Sequence, residues 1–238
     1  MLALDKPARL LSSPDRYDAD RPNLMKLLHR DIARGATWAK DRGLSYLANA
    51  HRLDFETTGI ILLAKSKPVL VQLANQFGAE KPVKRYLALS HGSPAEESFT
   101  IDLKLAPDPH RPGVMRPDLK TGKKAITRVE VAERFNSFTL LYCQPLTSRA
   151  HQIRAHLRAR ELTLVGDRTY GGAPLLLSRL KPNYRPKPDE PEKPLIGRAA
   201  LHAESLTLAH PATGQPLTIS SPWPKDLQVG LKYLRRYL

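Results

Sequence analysis

The chain is short of cysteine: Cys143 is the single one among 238 residues. One thiol excludes an intrachain disulfide and any metal cluster built on paired cysteines, and it is the usage expected of a protein in a reducing cytoplasm. Long apolar runs are missing too. The longest, Gly59 to Ala64, falls far below the roughly 20 residues that a spanning helix needs. The amino terminus carries acidic Asp5 early and shows no signal-peptide pattern, so no targeting segment is expected. No internal repeat is visible. Negative charge is scarce as well, with 23 Asp and Glu against 38 Lys and Arg.

What is present follows from that imbalance. The formal charge is +15, which concentrates polyanions near the surface and favours release of their counterions. Nucleic acid is the leading partner on these grounds. A chain basic for solubility, or one meeting anionic membrane surfaces, is the plainer alternative. A hydrophobic share of 41% with 26% charged residues is enough for an ordinary folded core.

Extended segments outnumber helical ones. Gly59 to Ala64 is a short apolar strand after a polar turn, and Val83 to His91 is β-compatible. Ile126 to Phe135 and Phe138 to Pro145 flank Asn136-Ser137, the arrangement of a hairpin with a tight turn. His202 to His210 and Leu217 to Ser221 form a second candidate hairpin. For helices, Ser66 precedes Val69, Leu70, Leu73 and Phe77 on one face. Arg149 to Arg160 sets Ile153 four residues from Leu157, and Leu227, Leu231, Leu234 and Leu238 make a final stripe. Two proline-rich stretches, Leu105 to Lys124 and Lys181 to Pro194, read as a surface loop or long hairpin end and as an exposed connection. Strands with interspersed helices, without regular βαβ alternation, predict an α+β fold on a largely antiparallel sheet. Neither proline-rich stretch reads as a linker between separate cores, so residues 1–238 are expected to form one domain.

Three clusters carry chemistry. In His51-Arg52-Leu53-Asp54, positive neighbours favour an ionised carboxylate that can serve as nucleophile, base or metal ligand; a turn in which Asp54 caps a backbone amide is the bland counterpart. In Ser148-Arg149-Ala150-His151-Gln152-Ile153-Arg154, His151 and Arg154 are three apart and share a helix face. His151 and His156 are five apart, the wrong spacing for a helical two-histidine metal site; a basic helix that only touches phosphate competes with a catalytic reading. In Lys84-Arg85-Tyr86, the tyrosine is either a half-buried core residue or a platform on which a base stacks.

Taken in order, these segments resemble the RluA-type pseudouridine synthase family. The resemblance runs through Lys6-Pro7, His51-Arg-Leu-Asp54 with Thr57-Thr58-Gly59, Lys84-x-Tyr86, and Arg149-Ala-His-Gln-Ile-Arg154. It continues through Gly166-Asp167 with Tyr170-Gly171, Ala200-Leu-His-Ala203, His210-Pro-x-Thr-Gly214 and Pro222-x-Pro-x-Asp226-Leu227. Departures are Thr58 for serine, and Ser148 and Ala150 for the usual glycine and hydroxyl residue around Arg149. The resemblance implies a pseudouridine-synthase-like α+β domain without a separate N-terminal RNA-binding domain, isomerising a uridine of ribosomal or transfer RNA. It implies Asp54 as the essential carboxylate, Arg154 as its ion-pair partner and Tyr86 as the aromatic packing on the base. Attack on the uracil ring, attack on the ribose and abstraction of a ribose proton all stay open. His51, Arg52, Arg149 and His151 are expected at the RNA, with Leu164 or Val165 as an apolar wall. Arg52 either enters the space that the extruded base vacates or contacts phosphate. No cofactor, metal or membrane is implied, and a cytoplasmic monomer is expected. A catalytically silent RNA-binding protein of the same fold, a metal-dependent nuclease and a structural ribosomal protein are the competing readings.

Overall fold

The computed structural model describes residues 1–15, 18, 20–187 and 190–238. In chain order the elements are β1 (Leu2–Lys6), α1 (Leu24–Ala33), α2 (Thr37–Lys40), β2 (Ala48–Asn49), β3 (Thr58–Ala64), α3 (Lys67–Gly78), β4 (Val83–His91), β5 (Ser98–Asp102), β6 (Leu105–Pro107) and β7 (Met115–Pro117). There follow β8 (Ile126–Phe135), β9 (Phe138–Pro145), α4 (Gln152–Ala159), β10 (Leu201–Ala209), β11 (Pro216–Ser220) and α5 (Lys225–Tyr237). The fold is α+β with a largely antiparallel sheet, as the sequence predicts. The chain forms two compact units: residues Met1–Lys84 with Ala203–Ser221, and Arg85–His202 with Pro222–Leu238. Their boundaries fall inside β4, inside β10 and between β11 and α5, not at the proline-rich stretches.

In the first unit, β3 is buried along its whole length, which explains why its residues do not alternate in polarity. Ile61 and Leu63 face one apolar cluster with Leu24, Met25 and Leu47, while Ile60 and Leu62 face another with Leu73 and Leu206. Strands β1 and β2 pair with β3 antiparallel, and β10 pairs with β11. Helix α1 begins at Asn23, whose side chain accepts the Lys26 N–H at 2.9 Å. At α3, Ser66 stands at the cap position but makes no capping bond; Pro68 fits the first turn instead. Glycine is required at position 59. Its φ is +107°, and a Cβ there would collide with the Ala203 carbonyl.

In the second unit, β8 and β9 form the expected hairpin, with a bulge between Val131 and Glu133. β9 pairs with β4, and β8 with β5. Alternate residues of β4 and β9 serve opposite faces. Leu87, Leu89 and Leu140 pack with Leu227, Leu231 and Leu234 of α5, whereas Ala88, Leu141 and Cys143 pack with Ile153 and Leu157 of α4. The stretch from Leu105 to Lys124 folds as the small β6–β7 hairpin, pinned by Leu105, Val114 and Ala125 against Ala155 and Tyr170. Helix α4 starts three residues later than the arginine pattern suggests, because His151 takes a left-handed backbone with φ +49°. Of the second proline-rich stretch, residues 188 and 189 lie outside the described residues; 181–187 contain neither helix nor strand.

Candidate active-site residues

Asp54 lies in the loop between β2 and β3, half-buried, and several backbone groups around it are held by hydrogen bonds. The Ser12 hydroxyl accepts the Leu53 N–H and donates to the Leu53 carbonyl, both at 2.9 Å and both buried. Asn49 donates to the His51 carbonyl at 2.9 Å, and the Thr57 N–H donates to the Asp54 carbonyl at 3.2 Å. Lys6 is almost wholly buried on β1, where it pairs with Gly59. Its ammonium donates to the Pro7 and Leu10 carbonyls at 2.8 Å and to the Phe55 carbonyl at 3.4 Å. A buried lysine needs such acceptors to offset desolvation. Arg21 lies 4.8 Å above the Phe55 ring. The carboxylate is thereby carried on a backbone that cannot easily shift, the condition for preorganised chemistry.

His51 and Arg52, neighbours in that loop, differ in burial. The His51 ring stacks on Phe77 at 4.8 Å, and its Nε2 accepts the Leu62 N–H at 3.0 Å. An accepting nitrogen carries no proton, so the hydrogen sits on Nδ1. Burial, aided by the nearby Lys84 charge, pushes the imidazole down to about 4, and the ring is neutral at pH 7. The sequence expects His51 at the RNA; in the structure the half-buried residue stacks its ring on Phe77 within the first unit. Arg52 is exposed, and its guanidinium meets no acceptor among the described residues.

The second unit holds the other expected residues. Tyr86, on β4 opposite Cys143, packs against the cluster containing Ile153 and Leu164. Arg154 is buried and grips Asp167 with a two-pronged bond, Nε to Oδ2 at 2.7 Å and Nη2 to Oδ1 at 2.8 Å. Asp167 is fully buried and also accepts the Tyr170 N–H at 3.4 Å. The Arg154 guanidinium lies 5.1 Å from the Tyr170 ring centre. The sequence reading gave Asp167 no role, although a buried arginine demands a carboxylate and Asp167 is the only acid between Glu161 and Asp189. His151 Nδ1 lies 3.2 Å from the Tyr170 hydroxyl, so both it and Arg154 attend that tyrosine. Arg149 is half-buried, its Nε donating to the Lys124 carbonyl at 3.0 Å.

Gln152 explains the wording of the motif around it. Its Oε1 accepts from the Thr147 hydroxyl at 2.8 Å and the Arg149 N–H at 3.1 Å. Its Nε2 donates to the Ile126 carbonyl at 2.9 Å and the Thr127 hydroxyl at 3.0 Å. One buried amide thus stitches the loop before α4 to β8. Ser148 and Ala150, the departures from the family pattern, are both exposed, and no buried polar side-chain atom among the described residues lacks a partner. Leu164 and Val165 are core residues, 1% and 0% exposed, and offer no surface to a base. They hold the following turn in place, with the Val165 N–H donating to Leu89 and the Val165 carbonyl accepting from Ala200, both at 2.9 Å. Gly166, at φ +73°, presses against the Arg198 carbonyl, where a Cβ would collide.

An antiparallel α+β scaffold that locks an aspartate loop, with a forked Arg–Asp pair behind a Gly-Asp turn, has clear relatives. The family described as RNA pseudouridylate synthase matches residues 1–159. The dual-specificity RNA pseudouridine synthase RluA of Escherichia coli (strain K12) is 32% identical over 225 residues, covering 93% of this chain and 89% of its own. The ribosomal large subunit pseudouridine synthase D of Xanthomonas campestris pv. campestris is 32% identical over 235 residues, covering 99% of this chain and 67% of its own. Human RNA Pseudouridylate Synthase Domain Containing 4 shares the fold, with a TM-score of 0.71 over 98% of this chain and 89% of that one, at 22% identity. Human RNA Pseudouridylate Synthase Domain Containing 1 has a TM-score of 0.58 and 27% identity over 74% of this chain and 69% of that one. The chain belongs to the RNA pseudouridylate synthase family and is of the RluA type. It is an isomerase whose substrate is RNA and whose target is uridine. Among the described residues, no helix is long and apolar enough to cross a membrane.

Proposed function

We propose that residues 1–238 act as one catalytic domain on a uridine in structured ribosomal or transfer RNA, with the Asp54 carboxylate as the essential group. The observation that carries this reading is the clamping of the backbone from His51 to Thr57 by Asn49, Ser12 and Lys6. A loop whose only task was to turn the chain would not need its Phe55 carbonyl held by a buried ammonium. In the proposed reaction the bond from C1′ to the uracil nitrogen N1 breaks and the bond from C1′ to C5 forms. C5 loses its proton and N1 gains one, so the product is an isomer with no net oxidation. That balance demands no redox cofactor and no metal, and we read the enzyme as a cytoplasmic monomer that uses none. Retention of activity in excess chelator tests the metal part of this statement.

Tyr86 is the proposed stacking partner of the flipped base, and stacking of this kind returns about 1–3 kcal/mol of the few kcal/mol needed to unstack a nucleotide. Arg154 is the proposed cation beside the catalytic carboxylate, supported by the motif it shares with the family. Arg52 is proposed to contact the RNA near the extruded base. The relative named for the ribosomal large subunit supports ribosomal RNA as a target. The decisive experiment maps pseudouridines in total RNA from cells with and without the gene. A site lost on deletion, restored by wild type and not by Asp54→Asn, is expected; full restoration by Asp54→Asn removes the carboxylate from the mechanism and revives the silent RNA-binding alternative.

A further inference from the structure

The second unit carries a cleft of about 440 Å³ whose lining includes Arg111, Arg116, Arg158 and Arg168 but a single carboxylate, Asp108. The volume falls within the roughly 300–1,000 Å³ of ordinary small-ligand sites, and the cationic side chains outnumber the acidic one in its lining. The four guanidiniums are not equally engaged. Arg111 donates to the Thr169 carbonyl, and Arg116 pairs with Asp118 at 3.0 Å. Arg158 and Arg168 are exposed and meet no acceptor in the described protein. Arg158 sits in the last turn of α4, where the helix dipole favours a cation. That effect accounts for the place of Arg158, and Arg111 and Arg116 have protein partners, but the exposed Arg168 beside them has neither explanation.

The cleft is also built to keep its shape. The Tyr170 hydroxyl accepts the Met115 N–H at 3.0 Å and donates to the Met115 carbonyl at 3.2 Å. Its one proton is then used, so His151 Nδ1 donates to the same oxygen. Beneath it Val114, Ala155 and Tyr170 share an apolar cluster that fixes the β6–β7 hairpin against α4. Unpaired guanidiniums on rigid walls repel one another unless an anion joins them, and arginine forks match phosphate geometry.

We propose that this cleft seats phosphodiester groups of the RNA strand, with Arg158 and Arg168 as the residues that bind phosphate directly. The proposal rests on the reading of the chain as an enzyme acting on RNA, and it assigns a phosphate-binding role to residues of the second unit. Strand phosphate and free phosphate share this chemistry; the whole-chain charge and the family favour the strand.

The test measures binding and turnover separately. Fluorescence anisotropy with an unmodified transfer RNA transcript gives Kd between 50 and about 200 mM salt for the wild type, for Arg158→Gln/Arg168→Gln, and for Arg34→Gln/Lys232→Gln as a control removing equal charge at other exposed positions. For the cleft pair, Kd is expected to rise at least about tenfold and the log–log salt slope to flatten by about 1.4–1.8, two contacts at 0.7–0.9 each. Turnover at saturating RNA should stay within about twofold. Unchanged Kd and slope, or an equal effect in the control pair, overturns the proposal. So does displacement of RNA by submillimolar uridine monophosphate or inorganic phosphate, which would make the cleft a site for free phosphate. Wild type that forms pseudouridine while the cleft pair binds normally sinks this inference alone; wild type that forms none in any RNA sinks the enzyme reading.

Discussion

Ser12 has a single hydroxyl, and both its hydrogen-bonding capacities go to Leu53, the residue before the proposed catalytic aspartate. Ser12→Ala leaves a buried N–H and a buried C=O with no partner, which costs about 1–3 kcal/mol. Because the loop then loosens, turnover should fall at least about tenfold while RNA affinity holds; a drop in affinity with normal turnover would deny Ser12 its positioning role. His51 makes a prediction of another kind. Its imidazole is pushed down to about 4 in the folded protein against 6.5 ordinarily, so on acidification the unfolded chain takes up the proton first. Its stabilising contribution is full above pH 6.5 and is lost as pH falls from 6.5 towards 4. His51→Gln can still accept from the Leu62 N–H and cannot ionise. Urea midpoints at pH 7.5 and 4.5 should therefore differ less for the variant than for wild type. Arg154→Ala is expected to destabilise by about 3–5 kcal/mol by leaving Asp167 buried and unpaired, so its activity must be read beside its melting curve. The motif singles out Asp54, Tyr86 and Arg154 in the sequence, and their catalytic roles are the proposal made above. No motif points to Ser12, whose partner lies 41 residues away, and the stacking of the His51 ring on Phe77 leaves no local trace in the sequence.

At the level of elements, the sequence was readable wherever one segment settled its own pairing. The hairpin of β8 and β9 has its turn residues between its strands, and the stripe of α5 buries Leu227, Leu231 and Leu234 as its spacing predicts. Helix α1 escaped notice although Asn23 caps it, because its buried side, Leu24 and Met25, is completed by residues of β3 and α2. The late start of α4 depends on the left-handed turn at His151, which no spacing rule encodes. The C-terminal Pro-x-Pro-x-Asp segment acquires a structural explanation. Asp226, at the start of α5, forms a two-pronged bond with buried Arg198 at 2.7 and 3.0 Å, and Arg198 donates to the Ala199 and Leu201 carbonyls at 2.9 and 3.2 Å. Asp226→Ala should cost about 3–5 kcal/mol, seen as a fall in Tm, whereas Asp226→Glu should recover part of it. At Gly59, alanine meets both an unfavourable φ and the Ala203 carbonyl. A loss above about 3 kcal/mol, or about 6–12 °C in Tm at this chain length, is expected; a variant that melts like wild type would disprove the close approach of β3 and β10.

Across the whole molecule, the roles proposed for the net charge and for Asp54 predict that affinity and chemistry can be separated. The excess of positive charge, +15 in all, is a property of many side chains, and each phosphate neutralised adds about 0.9 to the salt slope on duplex and about 0.7 on single strands. Removal of one carboxylate barely alters that sum. Asp54→Asn should therefore bind RNA with a Kd within about threefold of wild type and an unchanged slope, while pseudouridine formation drops to background. Both proteins should lose affinity on the order of a thousandfold between 50 and about 200 mM salt if about six phosphates are neutralised. Filter binding across that range, with pseudouridine counted on the same samples, measures the two properties side by side. A wild-type slope near zero would mean that the net charge does not face the RNA, and recognition would then have to come from base contacts, which carry little salt dependence. A steep slope shared by both proteins, with turnover in only one, would place binding in the distributed guanidinium and ammonium field and isomerisation in the single carboxylate of the loop whose backbone Ser12 and Lys6 brace.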